Sequence, residues 1–329
     1  MVTITNHSLV SQFIIIGFTD LNGCEGLLFI LLTIIYISTL GGNAIVFVVI
    51  CSHRQLHIPL YLFVAKLSFL EILYTNVIIP KMLSNLLNDK LISYIGCLLQ
   101  IYFLHCLGIT ETFLLTAMAF DRYLAICNPL RYPSIMTIPC CFQMAACCLI
   151  VGSVVPLTQT LLLSRLSFCG LNQIDHIFCD STPLMNLACS DTSLNVMVDF
   201  IINSFLLFLA FTCIILSYIK IIFAVSKIKT PEGRKKAFST CGTHLTVVLL
   251  FFVSVSFMYV RLTEHSSVSY DRVMAVIYSV LTPMCNPIIY SLRNREIKEI
   301  LRRRLTALVP RGFRSINDGF DLIVPIQSM

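Results

Sequence analysis

The sequence predicts an all-α membrane protein: a seven-transmembrane helix bundle, N-terminus outside and C-terminus cytoplasmic, with a short amphipathic eighth helix. Three observations predict it. First, of 329 residues 57% are hydrophobic and only 12% are charged, about half the charge of a soluble domain. Second, the apolar residues form long runs. Stretches 132–164, 237–260 and 273–292 hold no Asp, Glu, Lys or Arg, and a helix crosses the hydrocarbon core with roughly 20 such residues. These runs lack the alternation of a membrane barrel, and irregular backbone cannot face lipid. Third, the cations are unevenly placed. With the N-terminus outside, the segments 51–57, 128–139, 227–236 and 293–304 hold thirteen Lys and Arg, and the outer loops hold three, Lys90, Arg165 and Arg261. Excess Lys and Arg stays on the cytosolic side.

Each element follows in order. Residues 1–25 form an outer N-terminus, where Asn6-His7-Ser8 makes Asn6 a glycosylation acceptor. The helical body runs from 26 to 292. Span one, about 26–50, has no basic segment or cleavage pattern before it and reads as an uncleaved anchor. Span two, 58–81, opens at Pro59, a residue tolerated in a first helical turn. Span three, 94–127, exceeds the bilayer, as a tilted helix does, and ends on the pair Asp121-Arg122. Span four covers 140–161, span five 196–226 and span six 237–260. Span seven, 271–292, carries Asn286-Pro287, where the proline removes a helical hydrogen bond that the Asn286 side chain is expected to bridge. Residues 293–309 place Ile297, Ile300, Leu301 and Leu305 on one side of a basic helix that suits the membrane surface. Pro310 ends that helix, and 310–329 is a cytoplasmic tail without cysteine for lipidation.

Ionisable residues inside the membrane mark function. Glu71 lies about 18 Å along its helix from Pro59, and Glu111 about 15 Å from Asp121. Both start from the cytosolic side, so both reach mid-membrane. Two buried carboxylates cannot cheaply both ionise. They must share a proton, a cation or a polar network with Asn43 and Asn286. Lys66 precedes Glu71 by five positions and points about 140° away from it. Fifteen cysteines are too many for one framework. Cys97, Cys169, Cys179 and Cys189 face the oxidising side, and four cysteines allow three pairings. No nucleophile–base pair, phosphate loop or zinc spacing supports an enzyme, and no repeated halves support a transporter. The net charge of +6 serves anionic lipid and an acidic partner rather than nucleic acid.

The segment Met118-Ala119-Phe120-Asp121-Arg122-Tyr123-Leu124-Ala125-Ile126-Cys127 resembles the signature at the foot of helix three in odorant receptors, a branch of the rhodopsin-like G-protein-coupled receptors. Four more segments agree in order and spacing: Leu56-His57-Ile58-Pro59-Leu60-Tyr61, Ser217-Tyr218, Lys236–Cys241 with His244, and Pro283–Asn294. The resemblance implies a receptor of the plasma membrane of olfactory cilia. It would bind a small odorant and act through a stimulatory heterotrimeric G protein to raise cyclic AMP. It also implies Cys97–Cys179 and Cys169–Cys189 bridges, and an allosteric sodium ion at Glu71 and Glu111 as the sole cofactor.

The resemblance further assigns the ligand wall to Leu104, His105, Gly108 and Ile109 on helix three and Asp199, Ile202, Asn203 and Leu206 on helix five. Phe252, Val255, Ser256 and Tyr259 on helix six and Val276 and Ser279 on helix seven complete it. Asp121, Arg122, Tyr123, Tyr218, His244, Asn286, Pro287 and Tyr290 carry the activation switch. Three departures stand out. Phe251-Phe252-Val253 replaces Phe-Tyr-Gly, Leu149 replaces a tryptophan, and Lys66 replaces an asparagine. The rival reading is a related receptor for an amine or another small ligand. Leu104 occupies the position that would supply an amine receptor's carboxylate, and Asp199 faces either the cavity or the headgroups.

Overall fold

The computed structural model describes residues 10–18, 23–169, 172–259, 268–293, 297–300 and 302. In chain order these form β1 (Gln12–Ile15), α1 (Glu25–Ser52), a 3-10 turn (Arg54–Leu56), α2 (Pro59–Leu86), β2 (Leu91–Ser93) and α3 (Tyr94–Cys127). Next come α4 (Tyr132–Ile135), α5 (Ile138–Leu163), β3 (Gln173–Ile174), α6 (Ser181–Met185), α7 (Ser193–Ser226) and α8 (Pro231–Tyr259). Finally α9 (Val268–Val276), a π turn (Ile277–Leu281) and α10 (Thr282–Arg293) run on as one helical segment. The eighth helix expected at 293–309 falls largely outside the described residues, of which 297–300 are helical. Asn6 and the tail also lie outside them.

Local chemistry sets the helix starts. Pro59 opens α2, while the Ser93 and Thr137 side chains accept from the Gly96 and Cys140 amides at the starts of α3 and α5, the usual N-cap arrangement. The expected end of span two at 81 is too early. The helix continues through Pro80 to Leu86, as membrane helices permit when neighbours satisfy the freed carbonyl.

Six of the long helices are long and apolar enough to cross a membrane; in α8 the described apolar stretch is His244–Ser256. The central element is α3, 72% buried over its apolar window, against 28% for α1, 17% for α5 and 22% for α7. The outward faces of the latter carry large apolar side chains such as Ile34, Ile150 and Phe208. A water-soluble monomer does not expose such a belt, and this is a multi-pass membrane protein. Small residues let the helices close on one another. A Cβ at Gly152 of α5 would meet the Thr110 hydroxyl and stand 2.7 Å from the Cys106 carbonyl oxygen of α3.

One end of the bundle carries a small sheet in the order β2-β1-β3. β1 pairs antiparallel with β2, Phe13 opposite Ile92, and parallel with β3, Ile15 opposite Ile174. Alternation sends Phe13 and Ile15 inward to pack with Cys97, Ile101, Ile174 and Cys179. The other end carries Asp121 and Arg122.

Candidate functional site: a roofed cavity above buried acids

A mainly apolar cavity lies between α3, α7, α8 and the π turn, with an empty volume, mouth included, of about 510 Å³. One face of α3 supplies Leu104, His105, Gly108, Ile109 and Thr112 at helical strides. Asn203, Leu206 and Leu207 come from α7, Phe251 and Val255 from α8, and Tyr278 from the π turn.

Six expected ligand residues with described side chains are absent from this lining: Asp199, Ile202, Phe252, Ser256, Val276 and Ser279. Tyr259's side chain lies outside the described residues. For Phe252, Ser279 and Asp199 the difference has a local cause. On α8 the lining stride is Phe251 to Val255, so Phe252 sits one position round and packs on Phe211. In helix seven the π turn adds a residue to the turn. It brings Tyr278 to the wall, while the Ser279 hydroxyl donates to the Ala275 carbonyl 2.5 Å away. Asp199 turns toward Ser181 and Gln159 beneath the roof. Thr112, Leu207, Phe251 and Tyr278 were missed from sequence. Thr112 was within reach of a simple extension of the α3 stride, being four residues beyond Gly108.

The roof is the loop between α5 and α7. Disulfides join Cys97 to Cys179 and Cys169 to Cys189, with Cα separations of 5.5 and 5.8 Å. Ile177 and Phe178 push into the bundle core. The Cys179 amide donates to Gln100 Oε1 at 3.0 Å, and Gln100 Nε2 donates to the Val77 carbonyl at 2.8 Å, tying the loop to α3 and α2. His105 Nε2 lies 3.5 Å from Asp180 Oδ1, both buried. Burial pushes the Asp180 carboxyl upward, but the His105 hydrogen bond and charge outweigh it and hold the group below its ordinary range. Arg272 of α9 pairs with Asp175 of the loop.

Below the cavity, the Asn286 amide donates to Glu71 Oε1, and Glu111 is the neighbouring buried acid. Glu71 Oε2, Glu111 Oε1 and Asn286 Oδ1 are buried without a hydrogen-bond partner. Three such oxygens suit a hard cation. Asn43 is also held by a backbone carbonyl. Its amide donates to the Pro283 carbonyl at 3.2 Å. Pro287 has no N–H for the carbonyl four residues earlier, so a side chain from α1 satisfies it, rather than Asn286 as the sequence led one to expect. Gly42 makes this possible, since a Cβ there would stand 3.2 Å from Pro287 Cγ.

At the far end Asp121 and Arg122 form no simple two-residue clasp among the described residues; Asp121 joins a local network with a loop group. Adjacent helix positions do not face each other, and Asp121 Oδ1 instead accepts from the Tyr132 hydroxyl of α4 at 2.8 Å. Burial and the Asp121 carboxylate raise the Tyr132 pKa, so the phenol remains a donor. Arg122 is buried and Tyr123 half-buried. His244 Nδ1 lies 2.7 Å from the Tyr218 hydroxyl and Nε2 3.2 Å from the Leu115 carbonyl. The carbonyl can only accept, so Nε2 carries the proton and Nδ1 accepts from the phenol. One imidazole thus joins α7, α8 and α3. Tyr290's side chain lies outside the described residues.

The site is thus an apolar cavity stacked over buried acids and an inter-helix clamp. Comparison with known proteins names a family. The olfactory receptor family model matches residues 32–307. Olfactory receptor 6N1 of Homo sapiens is 54% identical, over 91% of this chain and 96% of its own length. Olfactory receptor 6K6 of Homo sapiens is 49% identical, over 91% and 87%. Olfactory receptor 226 of Rattus norvegicus is 44% identical, over 91% and 94%. The chain belongs to the olfactory receptor family, whose members are G-protein-coupled receptors and not enzymes.

Proposed function

We propose that the chain is an odorant receptor with seven membrane crossings, its N-terminus and roof outside and Arg122 at the cytosol. A small volatile or semi-volatile molecule enters the cavity under the roof. Binding rests on shape and desolvation, with His105, Asn203, Thr112 and Tyr278 offering a few hydrogen bonds. The bound state shifts α8, opens the His244 clamp and frees Arg122 for a stimulatory G protein that raises cyclic AMP. Sodium held by Glu71, Glu111 and Asn286 stabilises the resting state by binding it preferentially. Asn6 carries glycan, residues 293–309 lie on the inner leaflet, and the receptor works in the ciliary membrane.

The observation that carries this reading is the wall of the cavity, which is mostly apolar and lacks a carboxylate among its lining residues. An amine receptor would need an anion there. Leu104 occupies its place, and Asp199 is outside the lining. A cyclic-AMP assay of surface-expressed receptor across volatile and amine libraries tests the proposal. Dose-dependent responses to neutral volatiles are expected, and responses confined to biogenic amines or peptides would overturn it.

A further inference from the structure

Neither the cavity nor the clamp uses Lys66, a cation inside the membrane-facing part of α2. Its ammonium lies 3.7 Å from the centroid of the Phe142 ring on α5. The titratable groups facing it are the thiols of Cys141 and Cys51, and among the described residues it forms no ion pair. A cation in hydrocarbon needs an anion or water. The ring face supplies part of that need and fixes where the ammonium sits.

Its location names the partner. Lys66 is about 10 Å along α2 from Pro59, and Phe142 about 6 Å along α5 from Ile138. Side chains on a helix lean toward its N-terminus, which for α2 is the end of the bundle that carries Arg122. The ammonium is therefore drawn toward the headgroups of that leaflet. On the other side of it, toward mid-membrane, the same faces continue as apolar surface. Phe69 and Leu73 follow Lys66 by three and seven positions, and Leu149 follows Phe142 by seven; all are exposed. A cation at the leaflet edge, followed by exposed apolar side chains running inward, matches a lipid with an anionic head and an acyl chain.

We propose that Lys66 and Phe142 form a binding site for an anionic glycerophospholipid, its phosphate on the ammonium and one chain along the exposed apolar faces of α2 and α5. The assignment to the inner leaflet rests on the orientation proposed above; the contact itself does not. The test uses the full-length receptor in nanodiscs of phosphatidylcholine with a minor fraction of phosphatidylserine, released for native mass spectrometry. Wild type should retain severalfold more phosphatidylserine than Lys66→Asn, which removes the charge, and than Phe142→Leu, which removes the ring. Lys66→Arg should retain it. Equal retention by wild type and both loss variants would overturn the site, and so would wild type holding phosphatidylcholine as readily. The readout needs neither odorant nor G protein, so its failure is separate from failure of the receptor assignment.

Discussion

His244 holds three helices with two hydrogen bonds, each worth about 1 kcal/mol net. The Tyr218→Phe change removes the phenol donor while keeping the ring, and His244→Ala removes both bonds. Each should raise ligand-independent cyclic AMP severalfold, His244→Ala more, at matched surface level; unchanged or lower basal signal would count against a resting-state clamp. The acids beneath the cavity give a second prediction. Glu71→Gln and Glu111→Gln should each abolish the sodium dependence of agonist potency, measured in sodium-free and sodium-containing buffer. Asp180 gives a third. Its folded pKa is depressed, so its contact with His105 stabilises the roof above the ordinary aspartate range and is lost only as pH falls through the depressed value. Hydrogen exchange of residues 172–180, corrected for intrinsic rates, should hold steady from neutral to mildly acidic pH. Asp180→Asn should weaken protection already at neutral pH.

Among the elements, close packing between α3 and α5 depends on Gly152. A valine there would press on the Cys106 carbonyl and the Thr110 hydroxyl, and overpacking typically costs about 1–3 kcal/mol. Gly152→Val should therefore lower surface expression and thermal stability, read by flow cytometry and by a thermal-shift assay, whereas Gly41→Ala, with open space around its Cβ position, should not. The helices themselves were legible because uninterrupted apolar runs mark them. Their faces were less so. The wall residue Tyr278 was hidden because sequence periodicity assumes 3.6 residues per turn, and the π turn at Ile277–Leu281 breaks that stride. Strand β1 was hidden too. Four residues, Gln12–Ile15, become a strand only by pairing with segments about 80 and 160 positions away.

For the whole molecule, composition and charge asymmetry were enough to read a multi-pass helical membrane protein, and the family motifs to place it among olfactory receptors. Contacts that join distant segments were not readable: Asn43 on the Pro283 carbonyl, Arg272 on Asp175, Tyr132 on Asp121. Each satisfies a polar group whose need becomes apparent only once the helices are packed. Helix α3 itself runs from the roof disulfide at Cys97 past the cavity wall to Asp121 and Arg122, so that occupancy of the cavity has a physical route to the Arg122 end. The most direct test of that claim is odorant-evoked cyclic AMP in cells, with surface receptor quantified, for wild type, Leu206→Phe and Asn203→Ala. The account predicts a neutral volatile agonist whose potency falls about tenfold or more when Leu206→Phe fills the cavity, the equivalent of about 1.4 kcal/mol, with surface level unchanged. A potency untouched by both substitutions would contradict it.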